Sequence, residues 1–322
     1  MNDASVSCDM DTLQIVESGG QFEDICSVFR AREDVLSLVN QINQLIKAVQ
    51  KHRGVSMGLL GGDNSFVHGF QSLQVQLERR LATLEVFARR TGGLLSEREK
   101  ENLHLAWHTI RQNWQDDELS DNFELHSHFI EQLKSMLVSL AKQLEKPFVQ
   151  ELAERAEGSV SYPKLFKQIE LLQFVAKQLP DMIEHIAKVR GLAVYAASAG
   201  SVDFYNDRKL RFLLQTAREQ SDKLRHQAER INELLDDEIP SFLELKNLEL
   251  KLLFLLNTVE QDVLSGVTIT TSSQQFFSLA TEIIDVYWKV VNDGLSVLRR
   301  WHEEDLEDWF KLSPKVNESA EE

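Results

Sequence analysis

Val35, Val39, Ile42, Ile46 and Val49 recur at alternating steps of four and three, the spacing that lines up apolar side chains on one face of an α-helix. No other feature restricts the fold as strongly, because the same period returns through almost the whole chain. It predicts helices over residues 64–90, over 96–117 with Leu103, Trp107, Ile110 and Trp114 as the seam, and over about 121–146. Pro147 closes this set. After a polar link with Gly158, Ser159 and Ser161, Pro163 is expected to open a second long helix, with further helices over about 203–235, 240–264 and 273–310. Ser272 with Gln275 resembles a capping box, and Pro240 suits a first helical position after Asp236, Asp237 and Glu238. The best competing strand, Val267 to Thr271, is short and lies between helices. With 5 Pro and 14 Gly among 322 residues, little interrupts helix formation. The expected architecture is all-α, two antiparallel four-helix bundles packed together. Residues 31–150 and 160–311 form the bundles, between acidic flexible tails at 1–30 and 312–322.

The net charge of -16 is concentrated at the ends. Residues 1–30 hold six carboxylates against one arginine, and residues 301–322 hold eight against two lysines. The body between them offers no basic stripe that would neutralise phosphates, so direct nucleic-acid binding is not expected. The acidic N-terminus lacks the features of a signal peptide, and no run approaches the roughly 20 apolar residues of a membrane span. Both cysteines, Cys8 and Cys26, fall in the first thirty residues, with no metal-ligand or redox spacing. A cytoplasmic protein away from the membrane is the expectation.

Two arginines disturb this regular pattern. The stripe ending at Val49 calls for an apolar residue at 53, where the chain has Arg53 within KHRGVSMGLLGG. The stripe Leu172, Ala176, Leu179, Ile183, Ile186 calls for one at 190, where the chain has Arg190 within KVRGLAVYAASAG. A glycine follows each, Gly54 and Gly191, and gives room for another backbone or a ligand to come close. Neither arginine has a carboxylate three or four residues away on its own helix. An arginine in an apolar face must reach water, pair with a carboxylate from another helix, or hold an anion. Two in matching settings point to a paired anion site between the halves. Planar, forked, permanently charged guanidinium groups suit a small planar oxyanion.

The long helix with its RG pair, the counterpart half a chain later, and the stretch TITTSSQQFFSLATEIIDVYWKVVNDGLSVLRRW together resemble the nitrate- and nitrite-sensing (NIT) domain of bacterial signalling and transcription-antitermination proteins. The likeness spans roughly residues 35–300. It implies two four-helix bundles with nitrate or nitrite bound between them, contacted by an arginine from each; the matching positions are Arg53 and Arg190. His52, Gly54, Ser56 and Gly191 are the expected supporting residues. The chain departs from the family at His52 and Val189, where a glutamate usually precedes the motif arginine. The resemblance also implies an output module. The roughly twenty residues after Trp301 are too few for one, so a separate output protein in nitrogen regulation is expected, and a homodimer is compatible with the reading.

No other constellation competes. His104 and His108 are four apart on a helix, with His126 and His128 on the next, but no carboxylate or cysteine completes a metal set. P-loop, GxGxxG and GxSxG motifs are missing, so neither catalysis nor a cofactor is expected. The alternative to a sensor is an all-helical adapter without a small-molecule ligand, its arginines paired internally with carboxylates.

Overall fold

The computed structural model describes residues 9–146, 164–236 and 238–312. Among them the chain is all-α, with no strand. Helix α1 covers Asp9–Leu60, α2 Val67–Arg90, α3 Glu97–Arg111 and α4 Leu119–Leu144. In the second half α5 covers Lys164–Gln173, α6 Leu179–Ala199, α7 Phe204–Leu234, α8 Phe242–Thr258 and α9 Ser273–Leu312. None of these helices is long and apolar enough to cross a membrane.

Local chemistry sets the boundaries. The Ser96 hydroxyl accepts from the Glu99 amide and Glu99 answers at Ser96 N, a complete capping box that starts α3. Asp203 caps α7 through the amides of Tyr205 and Asn206. The Ser272 and Gln275 pair forms as the sequence suggests, each backbone amide donating to the other's side chain. Gly200, at φ 71°, ends α6 in the left-handed region.

Four sequence expectations need adjustment. The acidic segment 1–30 is not a tail as far as residue 30, since α1 begins at Asp9 and Ile25 is buried. Acidic residues cost a helix interior at most about 0.7 kcal/mol each, so acidity there does not by itself oppose helix formation. Helix α3 stops at Arg111, short of 117, because Asn113 adopts φ 53°, a conformation asparagine tolerates. Trp114 leaves the helical seam and packs on Phe70 at 4.3 Å. Pro240 precedes α8 by a turn and does not open it, its carbonyl accepting from Leu243 N. Residues 147–163, with Pro147, Gly158, Ser159, Ser161 and Pro163, and the segment 313–322 lie outside the described residues.

Pro180 acts where its chemistry requires. It lacks the N–H that would bond back to residue 176, and the preceding turn, Phe174–Gln178, is a π-helix that absorbs the mismatch.

Helices α1 and α6 form the centre. Helix α1 packs on α2, α4, α6 and α9, while α6 packs on α1, α7 and α9. They run side by side in the same direction. A side chain at Gly54 would meet Arg190, one at Gly58 would meet Val194, and one at Gly61 would lie 2.6 Å from Ser198 Cβ and 2.9 Å from the Tyr195 carbonyl. Glycines at 54, 58 and 61 thus let the two backbones approach closely. Helix α6 is buried on nearly every face, from Leu179 through Ala196, as a central helix must be. The two RG segments consequently face one another across the α1/α6 contact.

Candidate functional site

Arg53 and Arg190 are both almost fully buried. Each guanidinium lies over a phenylalanine ring, Arg53 5.1 Å from the centre of Phe123 and Arg190 4.9 Å from that of Phe277. Their polar partners differ.

Arg53 is neutralised from across the interface. Its Nη1 donates to Glu184 Oε1 at 2.7 Å and its Nη2 to Glu184 Oε2 at 3.1 Å, a two-pronged contact with a carboxylate on α6. Nη1 also donates to Ser127 Oγ at 3.0 Å. Gln50 Nε2 donates to Glu184 Oε2 at 2.9 Å, and Lys188 Nζ stands 3.8 Å from Oε1. Burial works to raise the Glu184 pKa, but the charge and hydrogen bonds of Arg53, with Lys188 and Gln50, outweigh it and hold Glu184 below its ordinary value. Glu184 is therefore ionised at neutral pH.

Arg190 has no such counter-ion. Nη1 donates to Thr281 Oγ1 at 2.9 Å and Nη2 to the Gln50 carbonyl at 2.6 Å, both neutral acceptors, and no ion pair of Arg190 is present among the described residues. Burial first, then the charge of Arg53, push its pKa down to about 9, so it stays charged at neutral pH. The Nε of Arg190 and that of Arg53 are both buried without a hydrogen-bond partner. The buried trio of Arg53, Arg190 and Glu184 thus carries one excess positive charge and two free N–H donors. Such a cation is costly in a low-dielectric interior.

Gln50 joins the two halves of the cluster, its side chain on Glu184 and its carbonyl on Arg190. Gly54 makes the second contact feasible. A Cβ there would lie 3.1 Å from Arg190 Nε and 3.0 Å from Phe277 Cε2, so the space the sequence reserved beside Arg53 is filled by the other arginine. Gly191 meets only ordinary distances, 3.5 Å to Met57 and 3.7 Å to Phe123, and its lack of a side chain is not explained by crowding.

The expected supporting residues divide. Ser56 Oγ lies 2.9 Å from both the Arg53 carbonyl and Asn122 Oδ1, so its hydroxyl serves the protein. His52 turns away from the guanidiniums into the core, packing against Phe70 and Trp107. Its Nδ1 is 2.7 Å from Nε2 of His126, whose Nδ1 is 2.7 Å from the Asn122 carbonyl. The carbonyl requires His126 Nδ1 to carry the proton, so His52 Nδ1 donates and His52 Nε2 is left as a buried acceptor without a partner. Burial drives both histidines below their ordinary pKa, His126 to about 3. His104 reaches Glu85 at an exposed position, and no group of three or more metal-ligating side chains occurs among the described residues.

Glu184, Gln50, Ser127 and Thr281 escaped the sequence reading. No local signal marked Glu184, because Asp181, His185 and Lys188 beside it read as an ordinary polar helix face. Comparison with family models, with characterised proteins and with solved structures returned no match to this chain.

Proposed function

We propose that the chain is a reversible sensor of a small planar oxyanion, nitrate or nitrite, held between Arg53 and Arg190 and signalling to a separate protein partner. The observation that carries the reading is Arg190, a buried guanidinium with only neutral acceptors. An anion beside it would cancel the excess charge and give the two unpartnered Nε–H groups acceptors. The Arg53 fork already receives a planar, two-oxygen group end-on from Glu184, which supports a trigonal oxyanion over a spherical halide.

The reading calls for two four-helix bundles, α1–α4 and α5–α9 with α5 and α6 continuous through the π-turn as one helix, meeting along α1 and α6. Occupancy would favour the arrangement that brings the arginines together and thereby shift the helices that carry them. The π-turn before Pro180 supplies a yielding point near the base of α6.

The adapter reading also has an observation in its favour, the Arg53 to Glu184 ion pair. A ligand response decides between them. Melting in nitrate, nitrite and chloride at equal ionic strength should show stabilisation by the oxyanions alone, about 2.7 kcal/mol at a hundredfold excess over Kd. Identical melting in all three salts would leave the adapter.

A further inference from the structure

Glu184 is within reach of two cations. Arg53 holds it now, while Lys188, one turn further along α6, places its Nζ 3.8 Å away, inside ion-pair range but too far for a hydrogen bond. Glutamate four residues before lysine is the favourable order for such a pair. Lys188 Nζ is also 3.8 Å from Glu131 of α4. Glu131 pairs with Lys134 at 3.0 Å, and Lys134 with Asp181 of α6 at 2.6 Å. Charges therefore alternate in sign from the buried Arg53 outwards, ending on Glu131 and Asp181, whose side chains are 51% and 43% exposed.

We propose that Glu184 and Lys188 are a positioning pair for the arginine site: Lys188 receives the Glu184 carboxylate when an anion takes the Arg53 fork, and the alternating charges between α4 and α6 carry that exchange to the surface. The trigger rests on the anion-site reading; the exchange itself does not. A carboxylate displaced inside the protein must find another cation or protonate. Lys188 is the nearest, and it stands equidistant from Glu184 and Glu131. Its move towards Glu184 would weaken the contact with Glu131 and loosen α4 from α6. This gives an internal competitor that sets which anions enter, because a ligand must match a carboxylate for the fork.

A double-mutant cycle tests the exchange without ligand. Lys188→Met in the wild-type background should change the folding equilibrium constant less than about threefold, since Arg53 and Gln50 still hold Glu184. In an Arg53→Met background Lys188 is the cation left for Glu184, and the same substitution should lower the constant about tenfold or more. Equal effects in both backgrounds would overturn the proposal. Should Arg53→Met not fold, Arg53→Gln, which keeps a donor but no charge, replaces it. In a nitrate titration, Lys188→Met should bind about tenfold more weakly than wild type. Unchanged affinity would overturn the relay and leave the anion site standing. A wild type indifferent to nitrate would instead remove the trigger and the sensor reading, while the cycle still decides the exchange.

Discussion

Arg53 and Arg190 each sit in a Lys-X-Arg-Gly segment, on neighbouring parallel helices, each buried over a phenylalanine ring, yet they differ electrostatically. Arg53 meets a carboxylate with both prongs; Arg190 meets a hydroxyl and a backbone carbonyl. The first is an internal ion pair that the fold has neutralised. The second is a cation that the fold has buried and left charged. Local pattern therefore identifies residues in matching buried positions without assigning them the same role, which depends on what the facing helix supplies.

Substitution by methionine should separate the two most widely. Arg53→Met leaves the buried Glu184 only Lys188 within ion-pair range and should cost about 3 kcal/mol of stability, the low end for a broken buried pair. Arg190→Met strands no charge and removes a repulsion, so stability in the absence of ligand should be unchanged or higher. Denaturant unfolding of both variants measures the difference. Equal losses would erase the contrast and make both arginines structural.

Acidification should act on the Arg53 side, where the buried ionisable neighbours are His52, His126 and Glu184. His126 has a folded pKa of about 3, against an ordinary value near 6.5. Between these values the unfolded chain binds a proton that the folded chain refuses, so stability is lost as pH falls below about 6.5. At pH 5 the loss from His126 should be about 2 kcal/mol. His52 shifts the same way. Glu184, depressed below its ordinary value, adds stability that is present at neutral pH and lost only when pH falls through its folded pKa. Stability measured from pH 7 to pH 5 should decline less in His126→Gln and unchanged in Arg190→Met. An identical decline in His126→Gln would show that the histidine pair is not the acid-sensitive element.

Most of the helices were legible because apolar period and capping chemistry are local. The exceptions were local too: a left-handed Asn113 ended α3 early, and acidity over residues 9–30 did not stop α1. The arginines were legible as interruptions of a seam, and Gly54 as a close approach. What approaches it was not, since Arg190 and Phe277 come from distant helices. Glu184 was missed for the same reason. A search for carboxylates three or four residues away on the same helix cannot find a counter-ion that crosses from α6 to α1. His52 was assigned towards the ligand, whereas its contacts to Phe70, Trp107 and His126 place it in the core.

The unneutralised charge of Arg190 is tested most directly by calorimetric titration of nitrate into wild-type protein and Arg190→Met, with chloride at matched ionic strength as the reference. Saturable nitrate binding in wild type, none from chloride, and none by a folded Arg190→Met variant is the expected result. A wild type without saturable binding at millimolar nitrate, or equal binding by the two proteins, would contradict it.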